Sequence, residues 1–282
     1  MKLGQIQGSG GNLVAAISEG DYFYPIPGYT LASLIEETEN STRTLSELAE
    51  ELASSDAQLA KASIPVNPSE VWACGCTYAP SAEFRDAEHG TREGFYSYVH
   101  NAKNRPEIFF KGTDRVCVGS GEPIGIRSDS SFTAPEPELG VVIDSKGKIL
   151  GYTLGDDVSA WDIERENPLY LPQSKVYQSC CSLGPVLVTV DEIEDPYSLE
   201  MSCTIVRGEQ TIFSGSVSTD KLRRKIEELV GCLLQSNPVP TATVILTGTG
   251  IIVTQESALI PGDVVTIEVP EIGKLVNPTV LV

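Results

Sequence analysis

Short runs of alternating apolar and polar residues dominate this chain, and they predict strands more often than helices. Side chains of an extended chain point to opposite faces in turn, so a period of two marks a half-buried strand. Such runs, or short apolar ones, occupy Asn12–Ile17, Asp21–Ile26, Val71–Tyr78, Arg105–Phe110, Pro123–Arg127, Leu139–Ile143 and Ile149–Leu154. They continue at Val186–Val190, Glu200–Arg207, Gln210–Gly215, Val244–Leu246, Val264–Val269 and Lys274–Val276. Helical spacing is confined to Thr30–Glu37, Leu45–Lys61, Ser159–Arg165 and Thr219–Gln235. In the second of these Leu45, Leu48, Ala49, Leu52 and Leu59 share a face, and in the last Leu222, Ile226, Leu229, Val230 and Leu233 form a stripe. The pattern predicts a strand-rich α+β fold. The proline-bearing stretch from Ala62 to Ser69 divides it into a small α/β unit, residues 1–63, and a larger one, residues 64–282.

One predicted hairpin carries chemistry. Glu136 and Glu138 are two apart in an extended stretch, so their carboxylates stand side by side and repel. The turn Asp144-Ser145-Lys146-Gly147-Lys148 folds the following strand back until Asp157 approaches the pair. Three hard oxygen ligands suit a divalent cation, Mg2+ or Mn2+ first and Ca2+ next, with positions left for water or substrate.

Composition narrows the partners. The chain has 282 residues and a formal charge of −19, which argues against nucleic acid and anionic membranes as partners, since both require clustered cations. Its seven cysteines lack zinc spacing, no apolar run reaches membrane-spanning length, and the opening residues lack the apolar core of a signal peptide. The expectation is a cytoplasmic protein with reduced thiols. Only two histidines occur, His89 and His100, both in a long polar segment from Glu83 to Asn104. That segment reads as a lid or a surface helix, and the histidines as surface residues.

The residues around the hairpin resemble the fumarylacetoacetate hydrolase family. Arg105-Pro106-Glu107-Ile108-Phe109-Phe110-Lys111, Pro135-Glu136-Pro137-Glu138, Gly151 to Ser159, Glu166 to Lys175 and Thr247-Gly248-Thr249-Gly250 fall in the family's order, over about Pro65 to Val282. The run Glu166-Asn167-Pro168-Leu169-Tyr170-Leu171-Pro172-Gln173-Ser174-Lys175 is most similar to the branch of 2-keto-3-deoxy-pentonate dehydratases. The resemblance implies a mixed β-roll that assembles as a homodimer or homotetramer and binds a small keto acid. It implies metal ligands at Glu136, Glu138 and Asp157, catalytic roles for Glu107 and Lys175, and substrate contacts at Tyr78, Lys111, Tyr170 and Thr249. From the residues alone Glu107 reads equally well as a turn-capping carboxylate, and Lys175 as a surface lysine lying over tyrosines.

One departure bears on the reaction. Family hydrolases carry a histidine that activates water in an Asn-Tyr-x-x-His motif, and here Thr77-Tyr78-Ala79-Pro80-Ser81 puts serine in its place. Serine is no base near neutral pH. The expected activity is therefore metal-dependent dehydration of a 2-keto-3-deoxy sugar acid to 2,5-dioxopentanoate. Carbon–carbon hydrolysis of a 2,4-diketo acid is the alternative. For the dehydration, a lysine beside a cation and partly desolvated is expected to have a lowered pKa, so Lys175 is assigned as base at C3 and Glu107 as acid at the C4 hydroxyl. The sequence does not fix which of the two takes which proton.

Overall fold

A computed structural model describes residues 1–8, 10–89, 94–101 and 103–282, with the side chains of residues 88 and 89 outside the description. The chain begins with β1 (Lys2–Gln7), β2 (Leu13–Glu19) and β3 (Tyr22–Pro25), then α1 (Leu31–Glu39), α2 (Leu45–Leu52) and β4 (Gln58–Leu59). Both helices open on a threonine capping box, Thr30 with Ser33 and Thr44 with Glu47, which satisfies the first free amides. Next come β5 (Val71–Gly75), α3 (Ala79–His89), α4 (Phe95–His100), β6 (Glu107–Gly112), β7 (Cys117–Val118), β8 (Ile124–Ile126) and β9 (Thr133–Ala134). The hairpin strands β10 (Pro137–Ile143) and β11 (Ile149–Asp157) lead to β12 (Ser159–Ala160), α5 (Trp161–Glu166) and α6 (Leu171–Lys175). The chain closes with β13 (Cys181–Thr189), β14 (Glu200–Arg207), β15 (Gln210–Ser218), α7 (Ile226–Leu234), β16 (Thr243–Leu246), β17 (Val264–Val269) and β18 (Gly273–Leu281).

The large sheet runs β4-β3-β2-β1-β13-β11-β10-β16-β5-β6, with β7 beside β13, and a second sheet runs β15-β14-β17-β18-β8. One core, with Ile124, Leu139, Val141, Leu154, Ile205, Leu229, Val265 and Leu275, lies between the two sheets and α7. A second core joins Leu3, Leu31, Leu34, Ile35, Leu45 and Leu48 to Val71, Val142, Leu183, Leu187 and Val244. The first strand is therefore hydrogen-bonded to β13, at Leu3 and Leu187, while α1 and α2 cover the far face. Every residue of β10 is buried, as expected for a central strand covered on both faces.

Two helices are shorter than periodicity predicts. The second predicted helix stops at Leu52, because Ala53 turns extended and Ser54 donates its amide to the Pro25 carbonyl at 2.7 Å. The chain then pairs with β3, and Leu59 is exposed instead of sharing the helix face. The predicted helix at 219–235 starts only at Ile226. The preceding arginines serve tertiary contacts: Arg223 donates its amide to Thr77, and Arg224 caps the carbonyls of Val99, Asn101 and Asn104. The strand β1 carries no alternation strong enough to predict it.

Candidate active site

The antiparallel register of the hairpin builds the acidic cluster. Pro137 faces Asp156 and Glu138 faces Gly155, so the next step in register sets Glu136 opposite Asp157. The Asp157 amide donates to the Glu136 carbonyl at 3.0 Å, and the Glu136 amide to Asp156 Oδ1 at 2.9 Å. One oxygen from each of Glu136, Glu138 and Asp157 lies within 4.8 Å of the others. Gly248, from the Thr-Gly-Thr-Gly loop, donates its amide to Glu138 Oε2 at 2.5 Å.

Two lysines flank the cluster. Lys111, fully buried at the end of β6, pairs with Asp157 Oδ1 at 2.6 Å and donates to the Val158 carbonyl at 2.9 Å. Lys175, in the last turn of α6, donates to Glu136 Oε1 at 2.8 Å, Asp157 Oδ2 at 3.2 Å and Ser159 Oγ at 2.6 Å. Burial opposes the charge on Lys175, but Asp157, Glu136 and Glu164 outweigh it and raise its pKa. The lowered pKa expected from sequence belongs to a lysine beside a bound cation; without one the carboxylates face the ammonium directly.

The carboxylates show the complementary imbalance. Asp157 is lowered: burial works against its charge, and Lys111 and Lys175 prevail. Glu138 has no such partner, and burial together with Asp157 and Glu136 pushes its pKa well above the usual range. Three buried carboxylates all ionised need more positive charge on that side than two lysines bring, and a divalent cation meets the need with an all-oxygen donor set. The residues present therefore fit Mg2+.

A small cavity of about 10 Å³ adjoins the cluster, lined by Glu136, Lys175, Thr249, Ser81, Arg85, Glu164, Phe109, Trp161 and the Cys74-Gly75-Cys76 segment. A larger cleft elsewhere, between Lys2, Lys61 and Pro185, contains none of the candidate residues, and its size alone gives it no chemistry. Among the expected substrate contacts, Thr249 lines the cavity, with its hydroxyl accepting from the Ile251 amide at 3.1 Å. Lys111 is held behind Asp157, Tyr78 is buried against Gly250, and Tyr170 is exposed; none of these three lines the cavity.

At the other end Glu107 meets residues that sequence reasoning missed. Arg85 grips it with both terminal nitrogens, Nη1 to Oε2 at 2.7 Å and Nη2 to Oε1 at 3.3 Å. The same Nη2 reaches Glu164 Oε1 at 2.6 Å. Burial works against the Glu107 charge, yet Arg85 and then Lys175 keep its pKa below the ordinary value. Glu107 is joined to the cavity through Arg85 and Cys76, which are part of its wall. Ser81 also lines the cavity. His100 is half-buried and hydrogen-bonded to the Cys76 carbonyl at 2.8 Å, more anchored than a surface histidine. The side chain of His89 lies outside the described residues.

Residues 83–280 match the family described as fumarylacetoacetate (FAA) hydrolase C-terminal, and the chain belongs to that family. Within it, the chain is 51% identical to 2-dehydro-3-deoxy-D-arabinonate dehydratase of Saccharolobus solfataricus over 217 residues, 76% of this chain and 72% of the relative. It is 46% identical to the probable 2-keto-3-deoxyxylonate dehydratase of Haloferax volcanii over 77% of this chain and 74% of that protein. A solved structure of 2-keto-3-deoxy-D-arabinonate dehydratase complexed with magnesium and 2,5-dioxopentanoate covers all of this chain and 99% of its own, with a TM-score of 0.83 and 39% identity.

Proposed function

We propose that the protein is a Mg2+-dependent hydro-lyase that converts a 2-keto-3-deoxy-pentonate to 2,5-dioxopentanoate. The observation that carries this reading is the buried Glu136–Glu138–Asp157 cluster with a lysine against it, in a fold that superposes on a dehydratase holding magnesium and that product. The substrates in the two relatives' names converge chemically. Arabinonate and xylonate of one configurational series differ at C2 and C3, and both centres vanish when C2 becomes a ketone and C3 a methylene.

Bound to the three carboxylates, the cation supplies the Lewis acidity that polarises the 2-keto group and makes the C3 hydrogens acidic. Glu107, kept ionised by Arg85, accepts a proton from C3. Lys175 donates a proton to the C4 oxygen, the C4–O bond breaks and water leaves. The C3–C4 double bond that results carries CH2OH, and tautomerisation gives the terminal aldehyde. This order reverses the one expected from sequence and follows from the Arg85–Glu107 ion pair, which favours the ionised carboxylate. Thr249, which lines the cavity, is the candidate contact for the substrate, and Ser81 provides no base for hydrolysis.

The test is dehydration in D2O with Mg2+. Wild type should form 2,5-dioxopentanoate; Glu107→Gln should lose both product and deuterium uptake at C3, while Lys175→Met keeps the uptake and loses the product. Uptake that survives in Glu107→Gln and is lost in Lys175→Met would reverse the roles. We also propose that residues 1–63 act as a buttress for the catalytic unit and that the protein is a cytoplasmic homo-oligomer. All seven cysteines are free, and among the described residues no helix is long and apolar enough to cross a membrane. Light scattering on the purified protein would read the assembly directly.

A further inference from the structure

Four elements meet at one guanidinium. Arg85 sits on α3, is almost wholly buried, and reaches Glu107 on β6, Glu164 on α5 and the ring of Tyr96 on α4, the last at 4.1 Å from the centroid. The helix that carries it is tied down next door, because Asp86 accepts the Tyr96 and Ser97 amides at 2.8 and 2.9 Å and so caps α4. On the other side the backbone is cut back to admit the pair. A Cβ on Gly75 would lie 2.0 Å from Glu107 Oε2 and 2.9 Å from Arg85 Nη1. Glycine at 75 is required by that approach.

An arginine fork that contacts both oxygens of a carboxylate fixes its plane as well as its charge, which a lysine does less well. Building on the dehydratase reading, we infer that Arg85 is a positioning residue for the reaction: anchored by Glu164, it sets the orientation and the charge of Glu107. The groups facing Glu107 are Arg85 from α3, the Cys76 thiol beyond β5 and Lys175 from α6, with Glu164 acting through Arg85. Removing the guanidinium leaves a buried carboxylate with one distant cation, so its proton affinity rises and its aim is lost.

The experiment reads Glu107 without substrate and then with it. Protein carrying ¹³C-carboxyl glutamate is titrated by NMR in the presence of Mg2+, with Glu107→Gln supplying the assignment. In Arg85→Met the Glu107 midpoint should rise by about one unit or more, and in Arg85→Lys by less. Glu164→Gln should not raise it. The acidic limb of C3 deuterium uptake should move in the same direction, with kcat down by about 100-fold in Arg85→Met and partly restored by lysine. A folded Arg85→Lys or Arg85→Met protein whose Glu107 midpoint and acidic limb match wild type would overturn the inference, and so would a rise in Glu164→Gln. If Arg85→Met fails to fold, Arg85→Lys carries the test. Wild type without dehydration but with an Arg85-dependent midpoint would contradict the reaction and leave the Arg85–Glu107 relation standing.

Discussion

The two ends of the candidate active site solve the same problem in opposite ways. At one end Glu136, Glu138 and Asp157 come from a single hairpin, face Lys111 and Lys175, and leave Glu138 with burial and like charge against it. At the other, Glu107 and Glu164 come from β6 and α5, and Arg85 from α3 contacts both. The first cluster is short of positive charge from the protein and is built for an added cation. In the second both carboxylates pair directly with one guanidinium, which we infer sets the protonation of Glu107. One end is made to accept a ligand, the other to hold a side chain in one state.

Removing a ligand should break the first end most severely. Glu138→Gln is expected to lower kcat/KM by about 1,000-fold or more and weaken Mg2+ binding, as measured by calorimetry, because the substitution leaves two carboxylates to hold the ion. At the second end Gly75→Ala should cost about 100-fold in kcat while the protein stays folded, since the added methyl displaces the Glu107 carboxylate. A normal kcat in Gly75→Ala would show that the aim of Glu107 does not matter. Mg2+ at 100 times its Kd should stabilise the protein by about 2.7 kcal/mol, read as a rise of several degrees in Tm; Glu138→Gln should shrink that rise, and Gly75→Ala should leave it.

A smaller effect concerns Asp156, which lies beside the cluster and uses one oxygen on the Glu136 amide. Burial, partly offset by the Glu136 amide and reinforced by Asp157, raises its pKa to about 7. A raised folded-state pKa means that its contribution is fully present below the unfolded value of about 3.9 and is lost as pH rises through about 7. Asp156→Asn keeps an oxygen for the Glu136 amide and removes the charge. Measured without metal, it should stabilise the protein at pH 8 by about 4 kcal/mol and by little at pH 4. An equal gain at both pH values would mean that the charge is not the cause.

The same contrast explains what could be read from the residues alone. Glu136, Glu138 and Asp157 were legible because a hairpin converts sequence spacing into contact, and the turn at Asp144-Ser145-Lys146-Gly147-Lys148 announces the hairpin. Strands Glu200–Arg207 and Val264–Val269 were legible for a like reason, being half-buried and strictly alternating. Lys175 was located by its motif, but its partners were not, since Ser159 and Glu136 join it only through the packing of α6. Arg85 and Glu164 left no local signal: one sits in a polar helical stretch, the other in a short helix, and each looks like a solvated charge until β5 and β6 bring the helices together. Leu222 and Arg224 mislead in the opposite direction. The spacing of Leu222 from Ile226 suits a helix, yet the arginine is spent on carbonyls at and beyond the end of α4, and α7 starts only at Ile226.

One NMR measurement separates a Mg2+-dependent dehydration from a carbon–carbon hydrolysis. Purified protein with Mg2+ is given an equimolar mixture of 2-keto-3-deoxy-arabinonate and an acylpyruvate, and the products are followed over time, before and after chelation of the metal. The expected result is 2,5-dioxopentanoate accumulating while the acylpyruvate persists, with chelation stopping the reaction. Pyruvate and a free carboxylic acid released from the acylpyruvate, with the sugar acid untouched, would contradict it.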